Sequence, residues 1–540
     1  FNMDLEEVPK LQLTPLETEL FTLLLATERH FKLGTVMRVA GGWVRDKLMG
    51  RDSHDIDIAL DTMTGNTFAE HVNRYLALTG HETHHIGVIQ SNPEQSKHLE
   101  TATVKLLGVW VDFVNLRSES YTEDSRIPDK IEIGTPEQDA NRRDLTINAL
   151  FYNINTGTVE DFTGRGIEHL NSKIICTPLP PLQTFMDDPL RVLRSFRFAS
   201  RLPGFSINTE LLEAASAAQV IDALAKKIAR ERIGKELDGM MLATRPELAL
   251  SWISSLGLYP VVFAVPTTLI EPIDMTVAAR ESAALVRTMI CASRSISLDW
   301  SHEERRLAVL AAALLPFNGC NYTTPKRRVD TVANYVVLES LKHPKHDADQ
   351  VSTLHFGVTQ FERLFKPDHV LAPGEPGIQN IPLDQQRVAL GKVMRRVGPL
   401  WHTALILATL EHLPTFSSEL TVEAVDPHFP SGSPILETYL SIKRQIEHLR
   451  MVGIWDMKPF FTGDDIIATL QLQPGPVLGV ALEQELEWML SNLDEVITSP
   501  QTAKEKCKAF IESDTFKEKL TAINNATRGG GGGGGNKKKK

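Results

Sequence analysis

Val39-Ala40-Gly41-Gly42-Trp43-Val44-Arg45-Asp46, followed by His54-Asp55-Ile56-Asp57-Ile58, is the stretch on which the reading of this 540-residue chain turns. Val36 to Ala40 is β-branched and apolar enough for a strand. Gly42 to Met49 has helical composition closed by Gly50, and His54 to Leu60 alternates. In a strand, side chains two apart share a face. Asp55 and Asp57 therefore point together while Ile56, Ile58 and Leu60 point into a core. Two carboxylates on one rigid face, near a helix N-terminus preceded by Gly41-Gly42, can hold Mg²⁺ against a triphosphate lying on backbone N–H groups. An isolated Asp-x-Asp more often caps a turn or faces solvent. The Gly-Gly-x-x-Arg-Asp upstream moves the reading to phosphoryl transfer.

Length leaves room for several domains, and no window approaches the ~18 uninterrupted apolar residues of a membrane span. Four scattered cysteines (Cys176, Cys291, Cys320 and Cys507) form no Cys-x-x-Cys pair. That argues against a disulfide framework and a structural zinc site, and for a reducing compartment. A net charge of −11 argues against broad, unspecific RNA coating. Local basic clusters (Lys226, Lys227, Arg230, Arg232; Lys326 to Arg328; Arg387, Lys392, Arg395, Arg396) read as solvated helix faces more readily than as phosphate tracks. Gly529 to Gly535 and Lys537 to Lys540 read as a disordered tail.

Short alternating strands mix with helices up to about Thr177. After Pro178, Pro180 and Pro181 nearly every segment has helical periodicity. Helices are expected over Arg191 to Ser200, Thr209 to Ala218, Ile221 to Ala243, Thr276 to Ser293, Glu304 to Leu315 and Thr331 to Leu341. Further ones are expected over Gln385 to Val397, Thr403 to His412, Leu436 to Met451 and Leu482 to Val496. Breaks rich in Pro or Gly near 260–274, 367–382, 424–434 and 474–477 suit joints.

Ala102 to Leu116 reads as a hairpin turning near Gly108. Asp112 on its return strand is either a third carboxylate of the metal site or an edge-strand Asp bonded to backbone. Arg142-Arg143-Asp144 precedes an apolar run, Leu145 to Tyr152, that reads as helical. Arg143, Asp144 and Asn148 can share its face, with guanidinium to phosphate and Asp and Asn to sugar hydroxyls. In Asp187-Asp188-Pro189-Leu190-Arg191-Val192-Leu193-Arg194, an Asp caps a helix and Asp188, Arg191 and Arg194 recur on one side. A carboxylate beside a guanidinium matches the amino donor and ring-nitrogen acceptor of cytosine and adenine, whereas uracil and guanine present the reverse polarity. Arg230, Glu231 and Arg232 either orient that helix from behind or face solvent. His343-Pro344-Lys345-His346-Asp347 reads as a polar connector facing water.

As an ordered set, these segments resemble the CCA-adding tRNA nucleotidyltransferases of bacteria and eukaryotes (class II), within the polymerase-beta-like nucleotidyltransferase superfamily. The resemblance runs from about Val36 to Ala243 and includes the glycine segment Asp161 to Gly166 and the Glu231-Arg232 helix. Asn92 to Ala102 and Ser125 to Pro128 are similar to the eukaryotic branch. The resemblance implies an α+β, seahorse-like architecture: a small-sheet head followed by all-helical neck, body and tail. The expected boundaries are an N-terminal helical segment at 1–33, catalytic head at 34–177, base-recognising neck at 178–260, body at 261–420, tRNA-binding tail at 421–525 and the disordered end at 526–540.

It further implies that Asp55 and Asp57 are catalytic and hold two Mg²⁺, and Asp112, from the strand reading, is added to them as a catalytic candidate. Gly41, Gly42, Arg45, Arg143, Asp144 and Asn148 would bind triphosphate and ribose. Asp188, Arg191 and Arg194 would select CTP twice and then ATP once, with Arg230, Glu231 and Arg232 behind them. Ser118 to Asn141 resembles a flexible loop that assists the switch to ATP. The expected partner is the acceptor arm and 3′ end of tRNA, with no membrane and no obligate protein, inside the cell (cytoplasm, nucleus or mitochondrion). The chain departs from the family at Asp187, where Glu is usual, at Arg165, where a second Gly is common, and at Glu168, where Asp is expected. The rival readings are a bacterial-type poly(A) polymerase on the same head and neck, and a catalytically silent RNA-binding homologue.

Overall fold

Helix Pro15–Phe31 (α1) leads into strand Met37–Ala40 (β1), helix Gly42–Leu48 (α2) and strand Ile56–Leu60 (β2). The computed structural model describes residues 11–53, 55–89, 101–120, 130–365, 377–410, 433–472, 475–518 and 520. Thr14 and Glu17 form a capping box at the start of α1, which satisfies two otherwise orphaned amides. Glu17 is itself buried. It accepts a hydrogen bond from Trp43 Nε1 at 3.1 Å and pairs with Lys47 Nζ at 2.8 Å. The N-terminal helix thereby clamps α2, the helix that follows the glycine turn.

The chain continues through helix Gly65–Leu78 (α3) and strands Ile86–Ile89 (β3), Thr101–Leu106 (β4) and Val109–Asn115 (β5). Next come the paired strands Arg117–Ser120 (β6) and Lys130–Ile133 (β7), helix Pro136–Asn141 (α4), and strands Phe151–Asn153 (β8) and Thr158–Glu160 (β9). Seven strands form one sheet in the order β3-β4-β5-β2-β1-β8-β9. Within this sheet, among the described residues, only β2 and β5 run parallel, with Asp57 opposite Asp112. Ile56, Ile58, Leu60, Val111 and Phe113 are buried, and Phe113 packs edge-on against Phe68 of α3 at 5.2 Å. This apolar face fixes the register, because a one-residue slip would bury the aspartates instead.

The expected hairpin of 102–116 is present as β4 and β5. Because β5 lies between β4 and β2, Asp112 is not on an edge strand. The run Leu145 to Tyr152, expected to be helical, is a 3₁₀ turn over Thr146–Asn148 followed by β8. Pairing of Val39 with Tyr152 overrides the local helical spacing. Within the expected flexible loop Ser118 to Asn141, β6, β7 and α4 are ordered, and 121–129 lies outside the described residues. The eukaryotic-like segments lie at least partly outside them too: 90–100 covers most of Asn92 to Ala102, and Ser125 to Pro128 falls wholly within 121–129. The Gly/Lys tail is likewise outside the described residues.

Beyond helix Gly166–Asn171 (α5) lie Pro181–Asp187 (α6), Leu190–Arg201 (α7), Thr209–Ala215 (α8), Ala218–Lys227 (α9) and Arg230–Met241 (α10). The single helix expected over 221–243 is therefore two, broken where Ile228 and Ala229 are extended. Arg230 explains the break. Its guanidinium donates to the carbonyls of Ser340, Val261 and Val262 at 2.6–2.7 Å, filling acceptors that helix ends leave orphaned. His343 and Asp347, expected to face water, are buried, and Asp347 pairs with Arg306 at 2.8 Å. The helix expected over 331–341 is a short α-helix, Val332–Tyr335, continued by a π-helical turn to Ser340.

The described residues divide into two compact units. One is drawn from Phe1–Arg287 and Trp300–Ala348, the other from Thr288–Asp299, Asp349–Pro414 and Pro427–Lys540. In the second unit the basic cluster of Leu383–Val397 is neither a bare solvated face nor a phosphate track. Arg387 pairs with Asp494, Lys392 with Glu483 and Glu487, Arg395 donates to the carbonyls of Ile454 and Met457, and Arg396 stacks over Phe356. Among the described residues no helix is long and apolar enough to cross a membrane.

Candidate active site

A cleft of about 460 Å³ opens between the sheet and α7, lined among others by Gly41, Gly42, Asp57, Asp144, Asn148, Asp188, Arg191 and Arg194. Its floor begins at Gly41, whose φ of +74° is a left-handed conformation. A Cβ there would also meet Arg143 Nη1 at 2.9 Å. Both facts restrict the position to glycine.

Asp57 enters the cleft from β2, with Asp112 beside it in register. Asp55 is exposed and immediately precedes β2. Burial pushes the Asp57 carboxyl up to about 6, the Asp55 and Asp112 carboxylates add to this, and Arg143 and Arg117 oppose it. Such crowding of like charge is what a divalent cation relieves. Among the described residues no three His, Cys, Asp or Glu side chains cage a metal unaided. Oxygen-only carboxylates that leave the remaining positions to substrate phosphates and water are the donor set of Mg²⁺ in nucleotide sites. The residues present fit that ion.

Sequence reasoning missed the organiser of the opposite wall. Asp139 is almost fully buried at 1% exposure. Its Oδ1 accepts from Arg142 Nε and Nη2 at 2.8 and 2.6 Å and from the Arg117 amide at 3.0 Å. Its Oδ2 accepts from Arg143 Nε and Nη2 at 3.1 and 2.8 Å. One carboxylate thus aligns two guanidinium groups along the cleft. The available signal was spacing, since Asp139 precedes the two arginines by three and four residues.

Asp144 and Asn148 line the cleft, and their side chains already have partners. Asp144 takes Arg194 at 2.7 Å, the Leu145 amide at 2.8 Å and Asn148 Nδ2 at 3.1 Å. Arg45, expected at the triphosphate, is instead buried behind the wall. It donates to Asn148 and to Asp46 and lies over the Phe198 ring. Its charge is satisfied there, so it supports Asn148 and does not reach the cleft surface. Arg194 likewise joins α7 to the head through Asp144, with Glu236 3.6 Å away.

Asp188, just before α7, accepts the Leu190 amide at 3.2 Å, and its other oxygen takes Arg232 Nη2 at 3.0 Å. Arg191 Nη2 donates to the Arg142 carbonyl at 2.7 Å. Arg191 is thereby held against the same segment that carries Arg142 and Arg143. Of the three residues expected behind α7, Arg232 touches Asp188 and lines the cleft. Arg230 is committed to distant carbonyls and Glu231 is exposed, so neither contacts Asp188.

Burial alone would raise Asp144, but the Arg194 guanidinium, the Asn148 hydrogen bond and Arg191 together outweigh it and hold the carboxyl at about 2. Burial is likewise outweighed at Asp139 by Arg143 and Arg142, again giving about 2. Both values lie below the ordinary carboxyl value of roughly 4 in the unfolded chain. Each group therefore contributes stability that is fully present above about pH 4 and is lost as the pH falls through about 2. Acid unfolding followed by circular dichroism should begin below about pH 4 in the wild type. Asp144→Asn should be less stable at neutral pH and lose less stability over the same acid interval. An unchanged acid limb in this variant would remove Asp144 from the account.

The Poly A polymerase head domain family matches residues 37–176. The mitochondrial CCA tRNA nucleotidyltransferase of Saccharomyces cerevisiae is 34% identical over 90% of this chain and 91% of its own. The tRNA nucleotidyltransferase cca1 of Schizosaccharomyces pombe is 32% identical over 92% and 95%. Among solved structures, the Thermotoga maritima CCA-adding enzyme complexed with tRNA aligns with a TM-score of 0.57 at 19% identity. The alignment covers 93% of this chain and 97% of that one. At that identity the likeness is one of fold: a mixed-sheet head followed by a mostly helical remainder.

Proposed function

The chain belongs to the CCA tRNA nucleotidyltransferase family, and from that premise we propose that it adds C, C and A in turn to the 3′ end of tRNA, using CTP and ATP without a template. The observation that carries the reading is the single cleft that has Asp57 on one wall and Asp188 with Arg191 on the other. The arginines fixed by Asp139 stand in the same cleft. Reaction centre, phosphate anchor and base reader are thus assembled on one nucleotide.

The 3′-hydroxyl oxygen attacks the α-phosphorus, the bond from that phosphorus to the bridging oxygen breaks, and pyrophosphate leaves. Arg142 and Arg143, held rigid by Asp139, bind the phosphates bidentately. Asp112 stands beside Asp57 to accept the hydroxyl proton. Asp55 and Asp57 would hold Mg²⁺, which when bound supplies Lewis-acid stabilisation of the developing charge. Asp188 retains acceptor capacity on its oxygens for the exocyclic amine of cytosine or adenine. Arg191 is fixed by the Arg142 carbonyl and has further N–H groups for the adjacent ring nitrogen. Against uracil or guanine both groups would be left unpaired.

The assignments of head to 34–177 and neck to 178–260, and an intracellular site of action, belong to the same proposal. The poly(A) polymerase reading draws on the family that matches the head. The relatives aligned over about nine-tenths of the chain favour CCA addition. With CTP and ATP on a tRNA lacking its last three nucleotides, the enzyme should release three pyrophosphates per tRNA. Chelation by EDTA should stop the reaction and added Mg²⁺ should restore it. Turnover that persists in EDTA would contradict the assignment of Asp55 and Asp57.

A further inference from the structure

The sheet face that carries Asp57 does not end at the nucleotide cleft. In the parallel pair, Asp57 and Asp112 share a face, and alternation along β5 puts Trp110 and Val114 on it too. The antiparallel partners extend it across β4, where Thr103 opposes Asp112 and Lys105 opposes Trp110. Gly87 of β3 opposes Thr103.

On this extension lies a second hollow of about 400 Å³, lined by His84, His85, Thr103, Lys105 and Trp110 among others. Trp110 is 60% exposed, so it serves no core, and Lys105 Nζ lies 5.9 Å from its ring centroid. The His84 backbone is pinned by the Asn73 amide, which donates at 2.7 Å and accepts at 2.8 Å.

Asp112 stands between the two hollows on one strand. Val114 on one side of it lines the nucleotide cleft, and Trp110 on the other, about 7 Å away along a strand, lines the second hollow. The cleft runs from β1 to the Val114 end of β5. A nucleotide there leaves the Trp110 end of β5, and β4 beside it, open to the attacking hydroxyl.

We infer that Trp110, Lys105 and the His84–His85 turn form a docking platform for the single-stranded 3′-terminal nucleotides of the RNA primer. Trp110 stacks a base next to the reacting end, and Lys105 meets its phosphate. An exposed indole with a cation at its face is the pairing that holds single-stranded nucleic acid without regard to sequence. That tolerance is what a primer whose end changes at every addition requires. The inference rests on the nucleotide-adding reading of Asp57 and Asp112.

The test compares Trp110→Leu, Trp110→Phe and Lys105→Ala with the wild type on a tRNA lacking its last three nucleotides. Trp110→Leu should raise KM for the RNA about ten-fold, with KM for CTP changed less than about two-fold. Trp110→Phe, which keeps an aromatic face, should stay within about three-fold of wild type, and Lys105→Ala should fall between. A tRNA carrying 2-aminopurine as its last nucleotide should be quenched on binding to wild type and Trp110→Phe but not to Trp110→Leu. Equal KM and equal quenching for Trp110→Leu and wild type would overturn the platform while leaving the proposed function intact. A wild-type protein unable to extend the RNA would sink the function itself.

Discussion

Replacing Asp57 with alanine is expected to lower incorporation of C and A alike by about three orders of magnitude while leaving tRNA affinity within about two-fold. Asp57 is the carboxylate that β2 brings into the cleft wall. It is pushed up to about 6 by burial, helped by the Asp55 and Asp112 carboxylates. Removing it would take away a carboxylate proposed to hold Mg²⁺ and would also relieve that crowding, so the variant should melt no lower than wild type. Loss of activity without loss of stability separates a catalytic aspartate from a structural one. Filter binding and primer extension on the same preparation supply both halves. Retained incorporation of either nucleotide would remove Asp57 from the reaction centre.

Arg191→Ala should act on choice more than on rate. Arg191 is nearly buried at 8% exposure and its guanidinium is anchored to the Arg142 carbonyl, so little of its freedom is left to accommodate a different base. One bidentate base contact is worth roughly 1–3 kcal/mol, which corresponds to about ten-fold or more in selectivity. Misincorporation of UTP and GTP relative to CTP and ATP should rise by that factor, with tRNA affinity altered far less. Single-nucleotide extension with each triphosphate measures it, and unchanged selectivity would refute the base-reading role of α7.

Much of the site was legible because its signals are local. The Gly41-Gly42 turn, the alternation around Asp57, the hairpin at Gly108 and the three-residue recurrence of Asp188, Arg191 and Arg194 are all written within a few residues. What failed to show was decided at a distance. Arg45 looks like a phosphate ligand in the sequence, yet Asn148 and Phe198 enclose it. The run after Asp144 has helical spacing, but β1 recruits its end as a strand. Arg230 breaks a helix because carbonyls of Val261, Val262 and Ser340 need a donor. Asp139 was overlooked because its three- and four-residue spacing to the arginines, the one local signal, says nothing of its burial beneath them.

The same consideration bears on Arg194, which lies at base-reading spacing but is spent on Asp144. In the proposed function this leaves Asp188 and Arg191 to face the base, with Arg232 holding the Asp188 carboxylate.

The most direct measurement offers the purified protein, with Mg²⁺, a tRNA lacking its last three nucleotides and each nucleoside triphosphate singly, then CTP with ATP. Two additions with CTP alone, and a third only when ATP joins it, are the predicted result. A lengthening ladder with ATP alone, or no extension under any condition, would contradict it.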